Sequence, residues 1–147
     1  MIEGRMREIA WTALRIVAGG MMACHGAQKI LGVLTTKPVA EAFTQMWFGG
    51  VIELVGGAFV ALGLLTRSAA FLVSGTMAVA YFQFHWKFQF DEKVLPIANG
   101  GELSAVYCFV FLAFAAFGPG RASLDSFIAS ARARSRQTRD PSLAARR

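Results

Sequence analysis

Apolar stretches and short polar breaks alternate along the whole chain, and four of the stretches are long. They cover about residues 9–34, 47–65, 68–85 and 99–117. Roughly 20 residues of helix, at about 1.5 Å each, cross a hydrocarbon core of about 30 Å. The pattern therefore predicts an all-α fold: a polytopic membrane protein whose four transmembrane helices form an antiparallel bundle. The first run starts after Arg7 and Glu8, with Trp11 at headgroup level. Pro38 follows it, and proline disfavours helix at the preceding residue. A short amphipathic piece is expected around residues 39–43. Thr66, Arg67 and Ser68 read as a turn so short that the second and third spans must be antiparallel neighbours. The last run is short from Leu103 to Phe117, so its helix should begin near Asn99 or continue past Phe117. Gly118, Pro119 and Gly120 end it.

Spacing within the runs predicts contacts. Gly49, Glu53 and Gly57 recur every four residues, as do Ala70, Ser74 and Ala78. Small residues on one stripe let a neighbouring helix approach closely, which turns Glu53 toward the interior. From Phe82 to Phe90 aromatic residues alternate with polar ones. Period two points to extended chain on the surface, and an aromatic belt at a helix end is the other reading.

Composition agrees with the pattern. Of the 147 residues, 55% are hydrophobic and only 16% charged, which fits a polytopic membrane protein of one domain. The net charge of +6 is concentrated late: seven arginines lie at or after Arg121, against Asp125 and Asp140. No aromatic or motif pattern supports nucleic-acid binding, so an anionic membrane surface is the expected partner of that tail. Arg7, Arg67 and the tail arginines fall on one side of the membrane. Lys37, Lys87 and Lys93 fall on the other, diluted by Glu41, Asp91 and Glu92. The positive-inside rule then places both termini in the cytoplasm. Ile2, Glu3, Gly4 and Arg5 spell the site of a tag-removing protease, and Met6 follows directly. The expected organisation is a remnant at 1–5, a membrane domain over 6–125, and a basic cytoplasmic tail over 126–147, largely disordered beyond a short helix. Cys24 and Cys108 stand alone without a CxxC, as small buried hydrophobes or, geometrically conceivable, as a pair.

Polar groups inside apolar runs carry the candidate chemistry, because each costs free energy in hydrocarbon. His25, Gln28 and Lys29 share one helix face. With the topology above, His25, Lys29, Glu53, His85, Asn99 and Glu102 from four helices converge at the outer depth, which predicts a pocket. Two carboxylates, two imidazoles and an ammonium can pair charge and move protons. Structural readings stand beside this one. Arg15 and Lys29 can snorkel to headgroups, Asn99 with Glu102 fits a capping box, and Glu53 can serve only as a partner for Lys29. No metal is assigned, because the Glu-x-x-His spacing of bundle metal sites is missing; haem held by His25 and His85 is likewise not expected.

His25-Gly26-Ala27-Gln28-Lys29, Glu53-Leu54-Val55-Gly56-Gly57, Asn99-Gly100-Gly101-Glu102 and Gly118-Pro119-Gly120-Arg121-Ala122-Ser123-Leu124-Asp125 occur in the order that resembles the DoxX family. The resemblance implies a small four-helix protein of the bacterial inner membrane, linked to quinone-dependent thiosulfate oxidation and thiol stress. It marks His25, Lys29, Glu53, Asn99 and Glu102 as motif positions, and Arg15 as a matching arginine of the first helix. The expected function is a redox-associated membrane subunit that contacts a quinone or small sulfur compound. Glu53 and Glu102 would be catalytic, and Arg15, His25, Lys29, His85 and Asn99 would bind substrate. Other membrane or soluble redox proteins and a second copy of the chain are the expected partners. Two alternatives stay open: a non-catalytic scaffold recruiting soluble proteins, and a small oligomeric transporter.

Overall fold

The computed structural model describes residues 2–139, with side chains through Gln137. All regular structure among the described residues is helical. Helix α1 spans Ile2–Leu31 and α2 spans Gln45–Leu62. The middle of α2, Ile52–Gly56, is wound as a π turn. Helix α3 spans Thr66–Ala80 and continues as a π turn through Tyr81–Trp86. A 3₁₀ turn over Glu92–Val94 and a single helical turn over Pro96–Asn99 lead to α4, Glu102–Phe117. Helix α5 spans Leu124–Arg139.

Backbone chemistry places the helix ends. Gly32, with φ 66°, stops α1, because only glycine adopts that geometry without strain. Thr44 caps α2 by accepting from the Trp47 N–H at 3.3 Å. No helix forms at residues 39–43; the chain turns there, with the Thr44 N–H on the Glu41 carbonyl. The tight turn between α2 and α3 lies at Gly63, Leu64 and Leu65, and Thr66 already begins α3. The aromatic stretch is helical rather than extended through Tyr81–Trp86 and then turns at Lys87 and Phe88. Phe82 and Trp86 sit one turn apart with ring centres 5.5 Å apart, and the folded-back Phe88 stacks on Phe82 at 6.0 Å. Stacking at helical spacing outweighs the period-two pattern. Arg139 ends α5, a longer helix than expected in the tail, whereas Arg146 and Arg147 lie outside the described residues.

From α1 to α4 each helix lies antiparallel to the next, and α4 returns to α1 through Trp11 and Phe114. Glycines set the tightest seam. A Cβ on Gly19 or Gly57 would collide with the facing backbone of the other helix, and so would one on Gly26. Gly50 meets the side chains of Lys29 and Ile30. The expected stripe of Gly49, Glu53 and Gly57 is therefore displaced: Gly50 and Gly57 face α1, while Gly49 lies nearest Thr76 of α3. The π turn between them inserts an extra residue, so four-residue spacing does not hold one face through it. The second small stripe meets α4, where Ser74 donates to the Cys108 carbonyl at 2.8 Å. Cys24 faces outward, and the two thiols are free.

The outside is apolar. Ile16, Val17, Phe71, Leu72 and Phe109 are exposed, while Arg15, Glu53, Thr66 and Ser74 are buried. That distribution suits hydrocarbon surroundings. Among the described residues, Gln45–Leu62 is the one helix long and apolar enough, by length and composition, to cross a membrane, and Glu102–Phe117 is apolar but shorter.

Candidate functional site

Two polar constructions occupy opposite ends of the packed helices. The first surrounds Arg15, which is 2% exposed. Its guanidinium donates to the carbonyls of Val60 at 2.8 Å, Ala61 at 2.7 Å and Ala122 at 2.6 Å. Val60 and Ala61 lie in the last turn of α2, where the helix runs out of N–H donors, and the Val60 carbonyl also accepts from the Gly63 N–H at 3.0 Å. Arg15 therefore does not snorkel outward; it ties α1 to the end of α2 and to the segment after α4. That segment is the Gly118-to-Asp125 motif, used as a strap. Trp11 donates to the Gly118 carbonyl at 3.0 Å, and Arg67 donates to the Ala115 and Ala116 carbonyls. Asp125 accepts from the N–H of Leu65 at 2.8 Å, the N–H of Thr66 at 3.0 Å and the Thr66 hydroxyl at 2.9 Å. Burial pushes the Asp125 carboxyl up, but the bonds from Thr66 and Leu65 and the charge of Arg15 outweigh it, leaving the carboxyl below its ordinary value.

The second construction is a cavity of about 620 Å³ at the other end, between the last turns of α1, the first half of α2, α3 and the start of α4. Its walls are mostly apolar, with Phe48, Ile52, Phe71 and Leu72 among them, and His25, Lys29, Glu53 and His85 line it. Size and lining are those of a small-molecule site. Glu53 is 2% exposed and sits in the π turn of α2, a local rewinding often found where a side chain serves function. Its Oε1 pairs with Lys29 Nζ at 2.5 Å, and its Oε2 has no hydrogen-bond partner among the described residues. An orphaned buried carboxylate oxygen is costly and needs an explanation. It can accept a hydrogen bond, or a proton, from a bound molecule. His25 packs edge-on against Tyr107 with ring centres 6.3 Å apart, which fixes the imidazole relative to α4.

Of the seven residues expected at the site, four meet at the cavity. Arg15 lies at the opposite end. Asn99 accepts from the Gly101 N–H at 2.7 Å and donates to the Lys93 carbonyl at 2.8 Å, holding the loop before α4. It is not the cap of α4: Gly101 occupies that position without a side-chain bond, and Glu102 is the first residue of the helix. The capping box therefore does not form. Glu102 is exposed and does not line the cavity. Gln45, Thr76, Ser104 and Tyr107 line it without having been expected. None belongs to a motif, and Gln45 lies before its apolar run, so only the packing reveals them. Gln45 also donates through its Nε2 to Gln83 Oε1 at 2.5 Å. Among the described residues, no three His, Cys, Asp or Glu side chains gather as a metal site.

A family model, DoxX, matches residues 10–86, just over half of the chain. An uncharacterized protein of Haemophilus influenzae is 41% identical over 116 residues, covering 77% of this chain and 86% of that protein. No solved structure matches. The matched residues contain Arg15, the glycine seam, and the Lys29–Glu53 pair with both histidines of the cavity. On that match and that relative, the chain belongs to the DoxX family, a family of membrane proteins.

Proposed function

We propose that this protein is the integral membrane subunit of a redox-associated system, and that its cavity binds the head group of a quinone or a small sulfur compound. In this reading α1 to α4 cross the membrane of a bacterial cell as an antiparallel bundle over residues 6–125. Both termini are cytoplasmic and the cavity lies in the outer half. The observation that carries the reading is Glu53, whose Oε2 is unpartnered beside a mostly apolar cavity. An apolar site with a few convergent polar groups is what an amphipathic ring requires.

The roles follow from the geometry. Lys29 holds the charge of Glu53 through Oε1, leaving Oε2 for a ligand hydroxyl. His25 and His85 supply hydrogen bonds to the ring oxygens. Oxidising a hydroquinone releases a pair of protons and a pair of electrons. Glu53 takes one proton, water at the open side of the cavity takes the other, and both electrons leave for a partner redox protein. Arg15, Asn99 and Glu102 have no part in it, since their contacts or exposure keep them from the cavity.

The test is the organic extract of protein purified in mild detergent, with a His25→Ala, Glu53→Gln double variant alongside and quinone added back to both. Stoichiometric quinone in the parent and none in the variant is the expected result. A parent that stays empty after add-back, or a variant that retains quinone as well as the parent, overturns the reading.

A further inference from the structure

Among the described residues, most of helix α5 beyond its first turn is exposed. It runs for 16 residues, Leu124–Arg139, and packs along none of the other helices. A helix of this length without tertiary packing is marginal in water. Arg132 and Arg136 stand one turn apart, and like charges at that spacing oppose the helix further. Its stability as a helix calls for an outside surface.

The two faces of α5 define that surface. At helical spacing Leu124, Phe127, Ile128 and Ala131 fall on one side. Phe127 is 72% exposed, large and apolar. Arg132 and Arg136 border this face on one side and Arg134 on the other. From Ser126 through Gln137 the helix contains no acidic residue, and Asp125 is spent on the N–H groups that begin α3. That bonding also fixes where the helix starts. The Asp125 N–H donates to the Gly63 carbonyl at 2.8 Å, so α5 leaves from the level of the α2–α3 turn, at the end of the packed helices. For a protein of a membrane family that level is the headgroup region.

We propose that α5 lies on the membrane surface as an interfacial helix, its apolar face in the headgroup boundary and its arginines on the phosphates of anionic lipids. An apolar face bordered by arginines matches such a surface in both chemistry and charge. An acidic protein would satisfy the arginines but would leave Phe127 and Ile128 without apolar cover.

The whole protein in lipid nanodiscs provides the test, read by amide hydrogen exchange over residues 124–137. Exchange is expected to be slow in discs rich in phosphatidylglycerol and fast in discs of phosphatidylcholine alone. An Arg132→Gln, Arg136→Gln variant should exchange roughly thirtyfold faster in the anionic discs, since each arginine near such a surface is worth about 1 kcal/mol. High salt should act in the same direction. Both arginines are exposed, so the variant leaves the remaining helices intact, and their amides serve as the internal control. Equal exchange in the two lipids, whether slow or fast, overturns the proposal. So does a variant that remains as protected as the parent.

Discussion

Each end of the molecule buries a charge to the same depth, and the two charges are treated differently. Arg15 and Glu53 are both 2% exposed. Arg15 makes three hydrogen bonds to carbonyls at the end of α2 and in the segment after α4, with only its Nε unmatched. Glu53 makes one ion pair and leaves an oxygen orphaned beside open space. A buried charge surrounded by matching groups rigidifies the structure around it. A buried charge half satisfied lowers stability, and its retention makes sense when something else completes it. The first end holds the helices together; the second, in the proposed function, is completed by a ligand.

The largest effect should come from the closed end. Arg15→Met takes its donors from the Val60, Ala61 and Ala122 carbonyls and unties α1 from α2 and from the strap; a buried acceptor left unsatisfied costs about 1–3 kcal/mol. Thermal unfolding in detergent should show a loss of about 3 kcal/mol or more. If Glu53→Gln proves equally damaging, the contrast between the ends is lost. Next, Gly26→Val drives a side chain into the backbone of α2 near Gly50 and Leu54. Overpacking of this kind costs about 1–3 kcal/mol, and it should also separate Lys29 from Glu53 and abolish ligand binding. A variant that binds as the parent does would mean the seam does not position the cavity.

Asp125→Asn should cost about 1–2 kcal/mol, the usual worth of a helix cap. It should also alter the pH profile. The carboxyl in the folded protein lies below its unfolded value, so its stabilisation is complete above the unfolded value of about 3.9 and disappears as pH falls through the folded one. The parent should lose stability across that acid range, and the Asn variant should lose less. An identical acid limb in both would show that Asp125 stays neutral in the fold. The smallest effect on stability belongs to the open end. Glu53→Gln should change it by less than about 1 kcal/mol, because Lys29 is 33% exposed and can turn its ammonium to water. Its effect should appear in ligand retention instead.

How far the site could be read before folding depends on the residue. His25, Lys29 and Glu53 stood out because polar groups are expensive inside apolar runs, and that cost is a property of composition alone. Asn99 and Glu102 stood out for the same kind of reason, yet the loop from Lys93 to Gly101 keeps Asn99 for its own bonds, and α4 begins too late to bury Glu102. Asp125 appeared only as the end of a motif; its function as the cap of α3 spans about 60 positions in sequence.

The sequence by itself determined the helices, because helical period, apolar length and the glycines at residues 32, 63 and 118 act within a few neighbours. It also determined that a few charges would be buried, since runs that apolar leave them no water. Tertiary structure decided which charge meets which group. The π turn rotates Glu53 relative to Gly49, the glycine seam brings Lys29 within 2.5 Å of it, and the strap after α4 closes on Arg15. Those outcomes depend on how whole helices cross and wind, and a single added residue in one turn shifts the face that every later side chain presents.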